Sequence, residues 1–359
     1  MKFKNVLLVF CLFLSGYAKA QLPDYNTRIK SLYAVIDQKL TDRPTGLYFE
    51  NTDTTKGGPK HSFLWPLCAL IQATNEMDVL DRKKEYMLPV SDAIEQYRND
   101  NAPAPAYQAV NNKEKKIDTR YYDDNQWVAI AYLDAYNRTH QQKYLERSES
   151  ICRFMLGGLD TVAGGGIYWR EGDKGSKNTC SNGPGILVLL QLYKITHKED
   201  YLNTALAIYK WTNARLQTPE GLYYDNIRTG NLRIGKAIYT YNTGTMLQSN
   251  VLLYQITKDQ KYLDEAQLIA KAGKEHFFKN GRLPENYWFN AVLLRGYQAL
   301  YMVDKNKEYI DLYRQDADAI WSTERDTNNF VGKKPVKSLI DQAAMIEIYA
   351  RLQEIDSKK

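Results

Sequence analysis

The chain has 359 residues, of which 44% are hydrophobic and 25% charged, a globular composition that excludes a disordered, collagen-like or coiled-coil protein. Its formal net charge is +6, and three lysines within the first 20 residues leave only +3 on the rest, too little to indicate nucleic-acid binding. The 28 tyrosines, against 6 tryptophans and 10 phenylalanines, are the unusual feature of the composition.

The N-terminus has the pattern of a secretory signal peptide. Two lysines precede an apolar run over residues 6–17, and the small-x-small sequence Ala18-Lys19-Ala20 follows it. A run of about 12 residues is shorter than the roughly 20 that span a bilayer, so we expect no membrane anchor. The sequence therefore predicts a signal peptide over 1–20, a single domain over 21–359, and a periplasmic or secreted protein cleaved near Ala20.

Three cysteines remain after the leader: Cys68, Cys152 and Cys180. An odd number allows at most one disulfide within the chain, and their spacing matches no zinc pattern. Cys68 and Cys152 lie among apolar residues, as small core side chains do. No pair of histidines has metal-ligand spacing either, so we expect no metal site.

Four segments repeat one layout: an apolar stretch, a polar turn, and Tyr-Leu or Tyr-Ile. They are LDAYNRTHQQKYL (133–145), LQLYKITHKEDYL (190–202), LLYQITKDQKYL (252–263) and LYMVDKNKEYI (300–310). Helical spacing on both sides of each turn predicts a helix pair. The repeat lengths of 57 residues (Tyr144 to Tyr201) and 61 residues (Tyr201 to Tyr262) exceed those of common helical solenoids, so long loops must join the pairs.

Two further pairs complete the predicted architecture. Residues 62–75 pair with 82–99, and a final helix near 337–354 closes against an N-terminal helix near 25–40. Twelve helices in six pairs predict an all-α fold, an (α/α)6 toroid with the first helix of each pair inside, and an open solenoid is the alternative. Strand signals are sparse and confined to loop-like stretches.

Aromatic and amide residues gather just before the first helix of each pair. These positions lie within 61–66, 121–127, 181–184, 239–244 and 284–288, and they converge on one face if those helices run the same way. Rings for stacking beside amides for hydrogen bonds indicate a sugar site. The predicted substrate-binding residues are Trp65, Asn125, Trp127, Trp169, Arg170, Asn182, Tyr241, Asn242 and Trp288. Trp169 has the alternative interpretation of a loop anchor, and Arg170 and Asn182 that of structural residues.

Asp123 and Asp124 are the candidate catalytic residues. A single aspartate before a helix is commonly an N-cap, but a second adjacent carboxylate costs repulsion unless it has another role. Neighbours in sequence suit the separation of about 5–5.5 Å that a retaining glycosidase needs, rather than the 6.5–9.5 Å of an inverting one. The helix N-terminus favours an ionised nucleophile, while burial and the nearby anion raise the pKa of its partner.

Four stretches carry a resemblance to a known family. Residues 122–127 (YDDNQW), 165–170 (GGIYWR), 178–184 (NTCSNGP) and 239–244 (YTYNTG) resemble glycoside hydrolase family 76, the endo-α-1,6-mannanases. The resemblance implies an (α/α)6 toroid, retaining hydrolysis of α-mannan, Asp123 as nucleophile, Asp124 as acid/base and no cofactor. Residues 284–288 and 330–332 match no family signature, which leaves the distal subsites unassigned.

Other functions stay open at the level of the sequence. A non-catalytic glycan-binding toroid would use the same cleft, although it has no need of two adjacent carboxylates. A toroid lyase or unsaturated-uronyl hydrolase needs several basic residues, and Arg170 is the obvious candidate on the predicted face. A transglycosylase shares the covalent glycosyl-enzyme of a retaining hydrolase. We expect a monomer that binds a polysaccharide or oligosaccharide and no nucleic acid.

Overall fold

The helical spacing of the sequence is realised as twelve helices in the computed structural model, which describes residues 24–55, 57–284 and 286–357. The predicted signal peptide lies outside these residues. Six helices contact one another in a closed ring: α2 (Leu64–Leu80), α4 (Tyr122–Thr139), α6 (Thr179–Thr196), α8 (Thr240–Thr257), α10 (Tyr287–Asp304) and α12 (Leu339–Ser357). Six others pack outside it: α1 (Tyr25–Val35), α3 (Met87–Glu95), α5 (Gln142–Leu156), α7 (Glu199–Leu216), α9 (Gln260–Phe277) and α11 (Glu308–Thr323).

Burial separates the inner helices from the outer ones. Thirteen of the 18 residues of α4 are buried, whereas α5 buries 7 of 15 along one face. A helix surrounded by neighbours is buried on all sides, and one at the surface keeps a polar face. Contacts of α12 with α2 and of α1 with α12 close the ring. The predicted (α/α)6 toroid, with the first helix of each pair inside, is confirmed.

The polar turns of the sequence repeat end four inner helices in the same way. His140, His197, Lys258 and Lys305 each adopt a left-handed conformation with φ between 55° and 60°. Each backbone N–H donates to the carbonyl of a tyrosine four residues earlier, Tyr136, Tyr193, Tyr254 or Tyr301. A left-handed residue reverses the chain and satisfies a terminal helix carbonyl, so the next helix runs antiparallel to the last.

Short strands occupy the loops. β1 (Thr41–Asp42) pairs with β2 (Leu47–Tyr48), and β3 (Arg98–Asn99) pairs with β4 (Ala106–Tyr107). A four-stranded antiparallel sheet joins β5 (Tyr168–Arg170), β6 (Asp173–Asn178), β7 (Tyr224–Arg228) and β8 (Ile234–Ile238) in chain order. These strands precede α6 and α8, so the sheet stands beside the N-terminal ends of the inner helices. It is larger than the sparse strand signals of the sequence indicate.

The centre of the toroid holds charges as well as apolar side chains. Arg295 donates to both carboxylate oxygens of Glu347, at 2.6 Å from Nε and 2.8 Å from Nη2. Arg351 donates to Glu347 at 2.8 Å and lies 2.9 Å from Glu76. Since buried charges persist only when paired, this network ties α2, α10 and α12 together along the axis.

The three cysteines of the described residues, Cys68, Cys152 and Cys180, are buried and unpaired. Among those residues, no helix has both the length and the apolar character that crossing a membrane requires.

Candidate active site

The N-terminal ends of the inner helices open onto one face, where they surround a cleft of about 1520 Å³. Five inner helices contribute a residue from their first turn or from just before it, and the four-stranded sheet forms a further wall. The residues that line this cleft include Phe63, Trp65, Tyr121, Asp123, Asp124, Trp169, Asp173, Cys180, Asp225, Arg228, Tyr239, Tyr241 and Phe289. A deep cleft with rings and convergent polar groups is the usual form of a ligand site.

Asp123 and Asp124 are the second and third residues of α4, and both line the cleft. They are only 6% and 7% exposed. Because the first backbone N–H groups of a helix lack intrahelical partners, this end of α4 stabilises negative charge. The structure therefore brings the two predicted carboxyl groups together in one cavity, at the start of a helix.

Asp123 has the more polar surroundings of the two. The indole Nε1–H of Trp169 donates to its Oδ2 at 3.2 Å. Burial raises its pKa to about 6, while hydrogen bonds from the Cys180 thiol and the Trp169 indole lower it. These donors reach Asp123 from the second residue of α6 and from β5, so a helix and a strand both support one carboxyl group.

Asp124 is held more firmly in its protonated form. Burial raises its pKa well above the usual value, and the negative charge of Asp123 raises it further. The pKa of Asp124 is therefore raised by two causes, burial and the neighbouring charge, whereas the hydrogen bonds to Asp123 oppose the effect of burial on its own pKa. A pair of adjacent carboxyl groups with separated pKa values is the arrangement that assigns one group to nucleophilic attack and the other to proton transfer.

Aromatic side chains cover the cleft walls. The three exposed aromatic residues among the described ones are Phe63, Trp169 and Tyr239, at 38%, 38% and 39% exposure, and all three line the cleft. Solvent-exposed rings are costly unless they have a ligand to cover, so their clustering at one site indicates stacking surfaces. Among the predicted binding residues, Trp65, Trp169 and Tyr241 line this cleft.

The structure places Asn125 and Asn182 behind the cleft wall, fully buried. The N–H of Tyr107 donates to Asn125 Oδ1 at 2.7 Å, and Asn125 Nδ2 donates back to the Tyr107 carbonyl at 2.8 Å. Asn182 makes the same two bonds with Ile167, at 2.7 and 3.0 Å. An amide supplies both a donor and an acceptor, so each asparagine clamps a loop backbone to its helix and does not reach the cleft.

Trp127, Trp288, Asn242 and Arg170 also differ from their predicted positions on the cleft. Trp127 and Trp288 are fully buried, edge to face with ring centroids 5.1 Å apart, beneath Trp65. Asn242 is fully buried and lowers the pKa of Asp225. Arg170 is half-exposed, is not part of the cleft lining, and pairs with the lining residue Asp173, 3.0 Å from Nε to Oδ2. These residues support the cleft wall.

Sequence reasoning missed three residues that line the cleft near the carboxyl pair: Cys180, Tyr239 and Asp225. Asp225 is a third carboxyl, on β7, and burial raises its pKa. It reaches the cleft because β7 pairs with β6 in the register Asn178↔Asn226. The local sequence contains no signal for that long-range register. Cys180, in contrast, occupies the position in α6 that Asp123 occupies in α4, so the sequence repeat could have identified it.

No group of three or more histidine, cysteine, aspartate or glutamate side chains suited to a metal ion occurs in the described part of the chain.

Comparisons with known proteins agree with this geometry. A family model described as glycosyl hydrolase family 76 matches residues 28–358. A solved α-mannanase of that family from Bacteroides thetaiotaomicron is 26% identical, with a TM-score of 0.88 over 94% of this chain and 97% of the other. A family 76 mannosidase from the same species, strain VPI-5482, is also 26% identical, with a TM-score of 0.84 over 93% of this chain and 99% of the other.

Similar sequences also occur in fungi. A mannan endo-1,6-alpha-mannosidase of Candida albicans is 26% identical over 309 residues, which are 78% of this chain and 63% of that protein. The matched stretches span 37% to 63% of the length of the curated relatives.

Proposed function

Because the chain belongs to glycosyl hydrolase family 76, we propose that it is an exported, retaining endo-α-1,6-mannanase that cleaves α-mannan backbones. The observation that carries this proposal is the adjacent pair Asp123 and Asp124, buried at the floor of an aromatic cleft with their pKa values separated. The names of the mannan-cleaving relatives supply the linkage.

In the proposed reaction, the ionised Asp123 attacks the anomeric carbon and the C–O bond to the leaving sugar breaks. Asp124 gives its proton to the departing oxygen, which leaves a covalent glycosyl-enzyme on Asp123. Asp124, now ionised, then accepts a proton from water as that water attacks the anomeric carbon and frees Asp123. The bond from Trp169 Nε1 to Asp123 Oδ2 holds the nucleophile in place.

The charges of the cleft favour a neutral glycan. Seven carboxyl groups line it, against two cationic side chains, Lys115 and Arg228. Lys115 is paired with Asp118 at 2.7 Å. Like charges across an interface repel, so a uronic-acid substrate would be disfavoured, which argues against a lyase or unsaturated-uronyl hydrolase. Mannan has no charge of its own to be repelled.

The surroundings of the pair also argue against a non-catalytic binding protein. Burial raises both pKa values, and no basic side chain is among the main causes that shift either of them. Such a site destabilises the fold at neutral pH, because each ionised carboxyl lacks a compensating cation. Binding alone needs no carboxyl pair of this kind, whereas catalysis does.

The test uses the mature protein, residues 21–359, on linear α-1,6-mannan. We expect the wild type to release short mannooligosaccharides, and NMR should show that the first-formed anomer retains the α configuration. The turnover of Asp123→Ala and of Asp124→Asn should each fall by more than about a thousandfold. The control is Asp92→Asn, an exposed aspartate on α3, which should match the wild type. Inverted product or an active Asp123→Ala variant would refute the mechanism, and products longer than the substrate would identify transglycosylation.

Export is part of the same proposal and has its own test. Expression of the full chain in a Gram-negative host with fractionation should place the protein outside the cytoplasm, with a new N-terminus at Gln21. Retention of the uncleaved chain in the cytoplasm would contradict the signal peptide assignment.

A further inference from the structure

A second cavity of about 530 Å³, here called the second pocket, lies beside the cleft. Tyr239 and Phe289 line both cavities, and their ring centroids are 5.8 Å apart. These two rings, the aromatic partition, therefore separate the second pocket from the cleft while belonging to both. The proposed chemistry at Asp123 and Asp124 makes no use of this second pocket.

The lining of the second pocket suits a sugar. Ile238, Phe277 and Leu283 add apolar surface to the aromatic partition, and His276 and Asn286 bring hydrogen-bonding groups. Asn286 Oδ1 accepts the N–H of Phe289 at 3.0 Å as the cap of α10, and its amide N–H groups have no partner in the described residues. A pyranose has the matching surface, an apolar face with hydroxyl groups around it.

Arg282, one of two cationic side chains that line the second pocket, is already neutralised. Arg282 Nε lies 2.6 Å from Asp316 Oδ1, and its Nη2 pairs with Glu324. An arginine with two carboxylate partners offers little attraction to a free anion. Arg282 therefore adds little attraction for a phosphorylated or acidic ligand, and the second cation of the lining, Lys279, is exposed and donates to the Glu275 carbonyl at 2.6 Å.

A row of rings connects the second pocket to the candidate catalytic pair. Tyr241, which lines the cleft, has its ring centroid 5.8 Å from that of Tyr239 and 4.0 Å from that of Phe289. Burial raises the pKa of the Tyr241 hydroxyl, and Asp123 is close enough to raise it further. A glycan cut internally extends on both sides of the scissile bond, so the sugars on one side need a surface that leads away from Asp123.

We propose that the second pocket is a distal subsite, which binds sugar units of the same glycan chain beyond the aromatic partition and makes the protein prefer long chains. This inference rests on the proposed function, because the occupant is the remainder of the chain bound at Asp123 and Asp124. The two rings that it shares with the cleft are the reason to assign this occupant and not a separate small molecule or a protein.

The test places a charged side chain in the second pocket without touching the cleft. Ile238 is half-buried, lies at the end of β8 and lines the second pocket only, so Ile238→Arg fills it. Leu232→Arg is the matched control, because Leu232 is 49% exposed on the β7–β8 hairpin and lines neither cavity. A milder variant, His276→Ala with Lys279→Ala, changes exposed residues at the mouth.

The measurement is kcat/KM on α-1,6-mannooligosaccharides from trimers to about octamers, with binding of the same series followed by calorimetry. We expect Ile238→Arg to match the wild type on the shortest substrate and to lose about tenfold on the longest, with a smaller loss in the double variant and none in Leu232→Arg. An unchanged length dependence in both pocket variants would overturn the inference, as would an equal loss at every length.

The two proposals fail in different ways. A wild type that hydrolyses no member of the series contradicts the proposed function. The calorimetry still tests the second pocket in that case, because affinity that rises with chain length in the wild type and not in Ile238→Arg supports it. Affinity independent of length in the wild type overturns the inference.

Discussion

Replacing Asp123 by asparagine should stabilise the protein at neutral pH while abolishing turnover. Burial raises the pKa of Asp123 from its ordinary 3.8 to about 6. Since the native state holds this proton more tightly than the unfolded chain, the contribution of Asp123 to wild-type stability falls as pH rises from about 4 to 6 and is then constant. A difference of about 2 pKa units corresponds to about 3 kcal/mol.

Asparagine keeps an oxygen to accept the bond from Trp169 Nε1 and carries no charge. Above pH 6, the free energy of unfolding of the variant should therefore exceed that of the wild type by up to about 3 kcal/mol, in addition to any difference already present near pH 4. Removal of the Asp123 charge also lowers the pKa of Asp124, which acts in the same direction. For a chain of this size, 3 kcal/mol is a rise of about 4 °C in Tm.

Urea midpoints and Tm at pH 4, 5, 6, 7 and 8 measure this effect, with Asp92→Asn as the exposed control. The gain must grow with pH over the range in which Asp123 ionises and must not fall above it. A gain of equal size at pH 4 and pH 8 would attribute it to packing and refute the ionisation argument. A variant less stable than the wild type at pH 8 would refute it as well.

Three further predictions follow from the same geometry. Activity should require ionised Asp123 and protonated Asp124, so kcat/KM should fall about tenfold per pH unit below about pH 6, and a flat acid limb in the pH profile would contradict the nucleophile assignment. Trp169→Phe removes the 3.2 Å bond to Asp123 Oδ2 and should move that acid limb up by as much as about one pH unit, whereas a pure loss of stacking would raise KM and leave the limb in place. Arg295→Met leaves Glu347 without its bidentate partner and should lower the free energy of unfolding in urea by about 3–5 kcal/mol. The double variant Arg295→Met/Glu347→Leu should recover part of that loss, and no recovery would contradict the ion-pair interpretation.

The toroid was predictable because its information is local and repeated. Each polar turn with its following Tyr-Leu or Tyr-Ile marks one reversal of the chain, and the turn residues His140, His197, Lys258 and Lys305 take the same left-handed conformation. The position of the candidate catalytic pair followed from that periodicity, because the residues that start the inner helices must share a face. The prediction of Asp123 and Asp124 in one cleft rested on this argument.

The binding residues were harder to predict because adjacent positions in a helix point in different directions. Asp123 and Asp124 face the cleft, yet Asn125, one residue later, faces back toward the loop of Tyr107 and clamps it. Asparagines at equivalent positions recur for this structural reason, which the sequence cannot distinguish from a sugar-binding pattern. Asp225 was not predicted because only the register of the β-sheet brings it to the cleft, and its local sequence does not indicate that position.

The raised pKa of Asp124 depends on where the fold keeps its cations. Arg295 lies on the toroid axis, with its guanidinium carbon 5.2 Å from the ring centroid of Trp127 and 5.8 Å from that of Trp288. Trp288 in turn packs against Trp65 of the cleft, ring centroids 4.4 Å apart. A cation in contact with Asp124 would stabilise its carboxylate and remove the proton that the proposed mechanism needs. Arg295 is instead paired with Glu347 and lies over the two buried indoles, and no cation is among the causes that shift the pKa of Asp124.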